Sequence, residues 1–159
     1  MIDRDTAEHP CPNPCLDRRR WMAILARAPA QRLEALLDAI GERPPYTVLR
    51  GPEGGLVMVR GRIGGGGAAF NLGEMTVTRC TIQVEPELIG HAYVAGREPR
   101  RAELAALVDA LMQDPDRAAV LEEQVIAPLE QEQAARRAAR AGKAATTRVQ
   151  FFAMQTMRT

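Results

Sequence analysis

Trp21, Ile24, Leu25 and Ala28 stand at i, i+3, i+4 and i+7, the spacing of one apolar helix stripe. Asp17 is placed to cap that helix. Pro29 ends it and can open the next, where Leu33, Leu36, Leu37 and Ile40 repeat the spacing and Gly41 stands at the C-cap. Neither helix is apolar all round, so each needs a partner along its stripe. Pro44 and Pro45 follow, and the pattern predicts a helical hairpin.

The period then falls to two. "YTVLRG" (Tyr46–Gly51) and "GLVMVRGRIG" (Gly55–Gly64) read as strands with "PEG" as the turn between them. "EMTVTRCTIQVE" (Glu74–Glu85) is the third strand and "IGHAYVAG" (Ile89–Gly96) the fourth. Short connections predict an antiparallel meander. Alternation puts Met58, Arg60 and Arg62 on one face of the second strand, and Met75, Val77, Arg79 and Thr81 on one face of the third. Ile89, His91 and Tyr93 share a face of the fourth, with Arg97 just past its end.

Helical spacing returns in "RRAELAALVDALMQ", with Leu104, Leu107, Val108 and Leu111. "DPD" (Asp114–Asp116) restarts the chain, and Val120, Leu121, Gln124 and Val125 continue it. Pro128 must kink or divide this segment, because its ring and missing N–H spoil the turn before it. Glu130 and Glu132 then precede Arg136, Arg137, Arg140 and Lys143, an order that suits the helix dipole. "RVQFFAM" (Arg148–Met154) reads as a fifth strand. The pattern predicts an α+β fold: an antiparallel sheet of four to five strands, an N-terminal helical hairpin and C-terminal helices. It divides into a flexible Pro-rich tail over 1–16 and a single domain over 17–159.

Composition narrows the partners. With 159 residues there is room for one domain with a core, not two comfortable ones. A net charge of +1 gives no global field for nucleic acid or an anionic membrane, so any anion site must be local. Aromatic residues make up only 4%, which argues against base-stacking platforms. No apolar run approaches the ~18 residues that cross a bilayer. The acidic, Pro-rich N-terminus is unlike a secretory signal, and the expected location is the cytoplasm.

Cys11, Cys15 and Cys80 give an odd count and no disulfide framework. "HPCPNPC" brings His9, Cys11 and Cys15 close together, but no second ligand pair follows, and structural zinc wants four ligands. The expectation is a tail without metal.

The run "RIGGGGAAFNLG" is the strongest candidate for chemistry. It is not a Walker loop, since no Gly-Lys-Ser/Thr follows. Asn71, Leu72 and Gly73 stand where a dinucleotide fold would start a helix. Even so, successive glycine N–H groups can converge on an oxyanion, and arginine is the best bidentate phosphate donor. The candidate ligand-binding set is therefore Arg60, Arg62, Gly64, Gly65, Gly66, Gly67, Arg79, His91 and Arg97. The competing reading is a glycine turn flanked by solvated arginines. No Gly-x-Ser-x-Gly elbow or carboxylate pair completes an active site, and Cys80 reads as a small core residue. A free-standing nucleotide- or phosphate-binding enzyme built on this set is the alternative to an accessory subunit.

Five segments in order, "RWMAILARA", "RIGGGGAAFNLGEMTVTR", "GHAYVAGREPRRAELAALVDALMQ", "VIAPLEQEQAARRAARA" and "RVQFF", resemble the G subunit of bacterial carbon–phosphorus lyase, the PhnG family. The resemblance runs from about Arg20 to Met154 and leaves the cysteine-bearing tail outside. It implies a role in phosphonate catabolism, within a core complex holding two copies each of PhnG, PhnH, PhnI and PhnJ. That complex first joins methylphosphonate to the ribose C1′ of ATP and releases adenine, giving ribose 1-methylphosphonate 5-triphosphate. The resemblance assigns the nucleosidase-like chemistry to PhnI and the later radical, iron–sulfur step to PhnJ. PhnG is then a required subunit without catalytic residues or cofactor of its own, with ATP the substrate of the complex.

Overall fold

The computed structural model describes residues 14–62, 67–85 and 87–147. Over these the fold is α+β, with helices before and after a three-stranded antiparallel sheet of order β1-β2-β3. The strands are β1 (Tyr46–Gly61), β2 (Phe70–Val84) and β3 (Leu88–Ala95). The first two expected strands are thus one. Both halves of β1 pair with β2, from Tyr46 opposite Val84 to Gly61 opposite Phe70. The "PEG" stretch is not a hairpin turn but a bulge, with register shifts between Val48 and Arg50 and between Arg50 and Glu53. Gly51 makes it possible: its φ is +76°, and a Cβ there would meet the Arg79 carbonyl oxygen at 2.5 Å. The expected fifth strand, the N-terminal 13 residues and Gly64–Gly66 lie outside the described residues.

Helix α1 (Pro14–Leu25) begins three residues before Asp17, which therefore sits in its first turn rather than at its cap. Helix α2 (Ala30–Ile40) starts after Pro29 and ends at Gly41, whose φ of +128° is one that glycine adopts freely. Both lay their stripes on α3 and on the C-terminal helices.

Helix α3 (Pro99–Leu111) is the centre of the molecule, and every residue from Leu104 to Leu111 is buried. Such a helix has protein on all sides. On one side are the inward faces of the sheet, Cys80, Ile82 and Val84 of β2 with Ala92 and Val94 of β3. On the other are Ile24, Leu25, Leu33 and Leu37 from the N-terminal helices. Contact with β3 is tightest at Gly90, where a Cβ would meet the Ala106 carbonyl oxygen at 1.9 Å. Small residues on both sides permit that approach.

Helix α4 (Pro115–Leu121) is capped by Asp114, whose side chain accepts a 3.0 Å bond from the Asp116 N–H. A π-helical turn (Glu122–Ile126) follows, and then α5 (Ala127–Thr146). Pro128 divides this segment as its ring requires. It has no N–H to offer Gln124, and the helix widens just before it, with the Ala127 N–H reaching back five residues to the Glu122 carbonyl. None of the helices among the described residues is long and apolar enough to cross a membrane.

Candidate functional site

The structure distributes the expected ligand-binding residues over two places. Arg79, His91 and Tyr93 lie on the sheet face turned away from the helices, with Arg79 opposite Tyr93 and Thr81 opposite His91 in the β2–β3 register. Diagonal neighbours in such a ladder are about 7–8 Å apart, so Arg79 and His91 are near each other. Both are occupied. The Arg79 Nε donates to Glu53 Oε1 at 2.6 Å, and the same oxygen accepts from Arg50 Nε at 2.6 Å. Those two arginines hold the Glu53 carboxyl below its usual range, Arg50 foremost. The His91 Nδ1 meets Thr81 Oγ1 at 3.2 Å, and its backbone N–H donates to Asp109 Oδ2 at 2.8 Å.

Arg60, Arg62 and Gly67 lie at the other end of the β1–β2 ribbon. Arg60 pairs with Asn71 in the register, eight residues along β2 from Arg79. At about 3.3 Å per residue, Arg79 is roughly 26 Å from that end. Arg60 Nη2 donates to the Ala69 carbonyl at 3.3 Å, Arg62 is exposed, and Gly67 turns with φ +100°. Arg97 is exposed in the bend after β3. Gly64, Gly65 and Gly66 lie outside the described residues.

Cys80 is buried as expected of a core residue, and burial pushes its thiol up, away from the reactive thiolate. His9 and Cys11 lie outside the described residues, and Cys15 falls in the first turn of α1. Among the described residues no group of three or more His, Cys, Asp and Glu is placed to hold a metal ion.

Two features escape the sequence pattern. The first is Asp109, fully buried in α3. Its Oδ2 accepts from Arg18 Nη2 and from the His91 N–H, each at 2.8 Å, while Oδ1 accepts from Trp21 Nε1 at 2.8 Å and Arg18 Nε at 3.2 Å. One carboxylate thereby ties α1, α3 and β3 together. Both oxygens are spent on donors from the fold itself, which marks a structural anchor.

The second is an open cavity of about 680 Å³ where the end of α1, the start of α3 and the middle of α5 meet. Arg27, Arg101, Arg136, Arg137 and Arg140 line it, over a floor that includes Ala26, Ala95 and Gln133. Gln133 is buried and donates to the Ile24 carbonyl at 2.8 Å, which fixes α5 against α1. Arg101 lies in the first turn of α3, where the helix dipole adds to its positive charge. Its Nη2 donates to the Ala95 carbonyl, but its buried Nε has no partner. On α5 the i, i+1, i+4 spacing of Arg136, Arg137 and Arg140 was the available signal. Nothing in the sequence reveals that Arg27 and Arg101 join them.

The profile of the family described as "Phosphonate metabolism protein PhnG" matches residues 16–157. The chain is also similar to "Alpha-D-ribose 1-methylphosphonate 5-triphosphate synthase subunit PhnG" of Rhizobium meliloti strain 1021, at 49% identity over 140 residues. That match spans 86% of this chain and 87% of the relative.

Proposed function

Because the chain belongs to the PhnG family, we propose that it serves phosphonate catabolism as a required, non-catalytic subunit of an α-D-ribose 1-methylphosphonate 5-triphosphate synthase. The observation that carries this is 49% identity to a named subunit of that synthase over 87% of the relative's length. Its partners in this reading are PhnI, PhnH and PhnJ, with two copies of each subunit per complex.

In the reaction, the C1′–N9 bond of ATP breaks and adenine leaves with a proton. A methylphosphonate oxygen forms the new bond to C1′, and the 5′-triphosphate is retained. The geometry is consistent with a supporting part in that step. Asp109 and Arg79 are already partnered within the fold, and several large apolar side chains on the β1–β2 ribbon face solvent, as expected of a surface that a partner covers.

The test is reconstitution. Adenine release from ATP and methylphosphonate should require the chain together with the other subunits, and should be lost when it alone is left out. Steady release by the purified chain alone would overturn this reading and favour a free-standing enzyme.

A further inference from the structure

We propose that the cavity lined by Arg27, Arg101, Arg136, Arg137 and Arg140 is a binding site for a polyphosphate anion. Five guanidinium groups, from the turn after α1 and from helices α3 and α5, converge on one concavity in a chain whose net charge is only +1. That concentration of charge is local.

The fold leaves most of it unneutralised, although Arg137 does act on the Glu130 carboxylate at longer range. Among the described residues, Arg27, Arg101, Arg137 and Arg140 have no carboxylate within salt-bridge distance, whereas the other arginines packed between the helices are paired: Arg18 with Asp109, Arg20 with Glu122 and Glu130, Arg100 with Glu34. Arg136 has only Glu132, at 3.8 Å, and that carboxylate is already held by Arg32 at 2.7 Å. A merely solvated basic patch would satisfy its donors with water. The Arg101 Nε is instead buried without a partner at the wall of the cavity. A buried donor left unmet is costly, and an incoming acceptor removes that cost.

Shape and charge select the ligand class. The planar arginine fork matches the paired oxygens of a phosphoryl group. A volume of about 680 Å³ is that of a small-molecule site and exceeds what one phosphate would fill. Several linked phosphoryl groups supply one charged oxygen pair for each of several arginines. The lining belongs to this chain alone, so binding is read on the isolated full-length protein, whether or not it joins a complex.

The experiment is calorimetric titration of the full chain with tripolyphosphate, ATP and adenosine at about 50 mM salt, where screening is moderate. Tripolyphosphate and ATP should bind and adenosine should not. ATP binding alone, without tripolyphosphate, would make this a nucleoside site and overturn the proposal. Arg137→Gln with Arg140→Gln should weaken tripolyphosphate by about tenfold or more, close to 1.4 kcal/mol per tenfold step. Arg101→Lys, which keeps the charge but loses the Nε donor, should also weaken it. Arg117→Gln, which removes a positive charge on α4, should leave binding unchanged. Arg137 and Arg140 are exposed, so their double variant should keep the wild-type melting temperature and carry the test even if Arg101→Lys fails to fold. Absence of binding to the wild type, or equal binding by wild type and double variant, overturns the proposal. So does a cavity that takes no tripolyphosphate but whose double variant fails to join partner subunits, since it would then be a protein contact.

Discussion

Asp109 occupies the last turn of a helix whose other inward residues are aliphatic or alanine, and it is the group on which three elements converge. Removing one partner of a buried, hydrogen-bonded charge pair strands the others, at a cost of about 3–5 kcal/mol. Asp109→Ala is therefore expected to lower stability by that amount in a denaturant melt. Asp109→Asn should fall in between, because its amide can accept from one donor set but not carry the charge. A loss below about 1 kcal/mol for the alanine variant would mean that water replaces the carboxylate, contrary to its complete burial. The sequence gives no sign of this role. Nothing in "LVDAL" marks the aspartate for burial, and the side chains that satisfy it, Arg18 and Trp21, lie 91 and 88 residues away. The arginine cavity was hidden for the same reason. Arg136, Arg137 and Arg140 are legible as one cluster on α5, but Arg27 and Arg101 reach it only through tertiary packing.

At the scale of elements, local backbone chemistry fixes where the chain turns, whereas long-range pairing decides what each break becomes. Pro29, Gly41 and Pro128 act where their backbone chemistry says they must, because each constrains its own turn. The "PEG" turn failed because proline and glycine mark a break in regular pairing without saying whether the chain reverses. Here β2 offers a partner on both sides of the break, so a bulge suffices. Helix-to-helix attachment was invisible: Arg20 joins Glu122 at 2.8 Å and Glu130 at 2.6 Å, clamping α1 onto the C-terminal helices. The Arg20 hydrogen bond is the main cause that holds the Glu130 carboxyl below its ordinary value. A depressed carboxylate stabilises the fold above its unfolded pKa, about 4.3 for glutamate, and that contribution is lost as pH falls through the folded value. The pair is exposed, so the effect should stay within about 1 kcal/mol. Melting temperature followed from about pH 6 down to 3 should decline less steeply for Glu130→Gln than for the wild type. The variant should also be slightly less stable near neutrality. Parallel curves would show that the clamp contributes nothing.

For the whole molecule, the feature that most constrains function is that the sheet outruns its cover. Pairing between β2 and β3 ends where Val77 meets Ala95, yet β1 and β2 continue together to Gly61 and Phe70. That leaves a two-stranded ribbon of about 23 Å, at 3.3 Å per residue, beyond the third strand. A lone two-stranded ribbon is marginal in water. This one also exposes Leu56 at 64%, Met58 at 51%, Phe70 at 45% and Leu72 at 50%. Such side chains contribute nothing to the chain's own core, so their placement makes sense if a partner in the proposed complex covers them. A stable interface of that kind would bury on the order of 1,600–2,000 Å² in total. Leu56→Asp combined with Phe70→Asp should then leave the melting temperature of the isolated chain within about 1–2 °C, because neither side chain belongs to the core cluster. The same double variant should lose most of its co-purification with the other subunits, since burying two unpaired carboxylates opposes association. A complex recovered in undiminished yield would show that the ribbon stays uncovered and that the partner surface lies elsewhere. Loss of both stability and association would instead place these side chains in the fold, against their exposure in the structure.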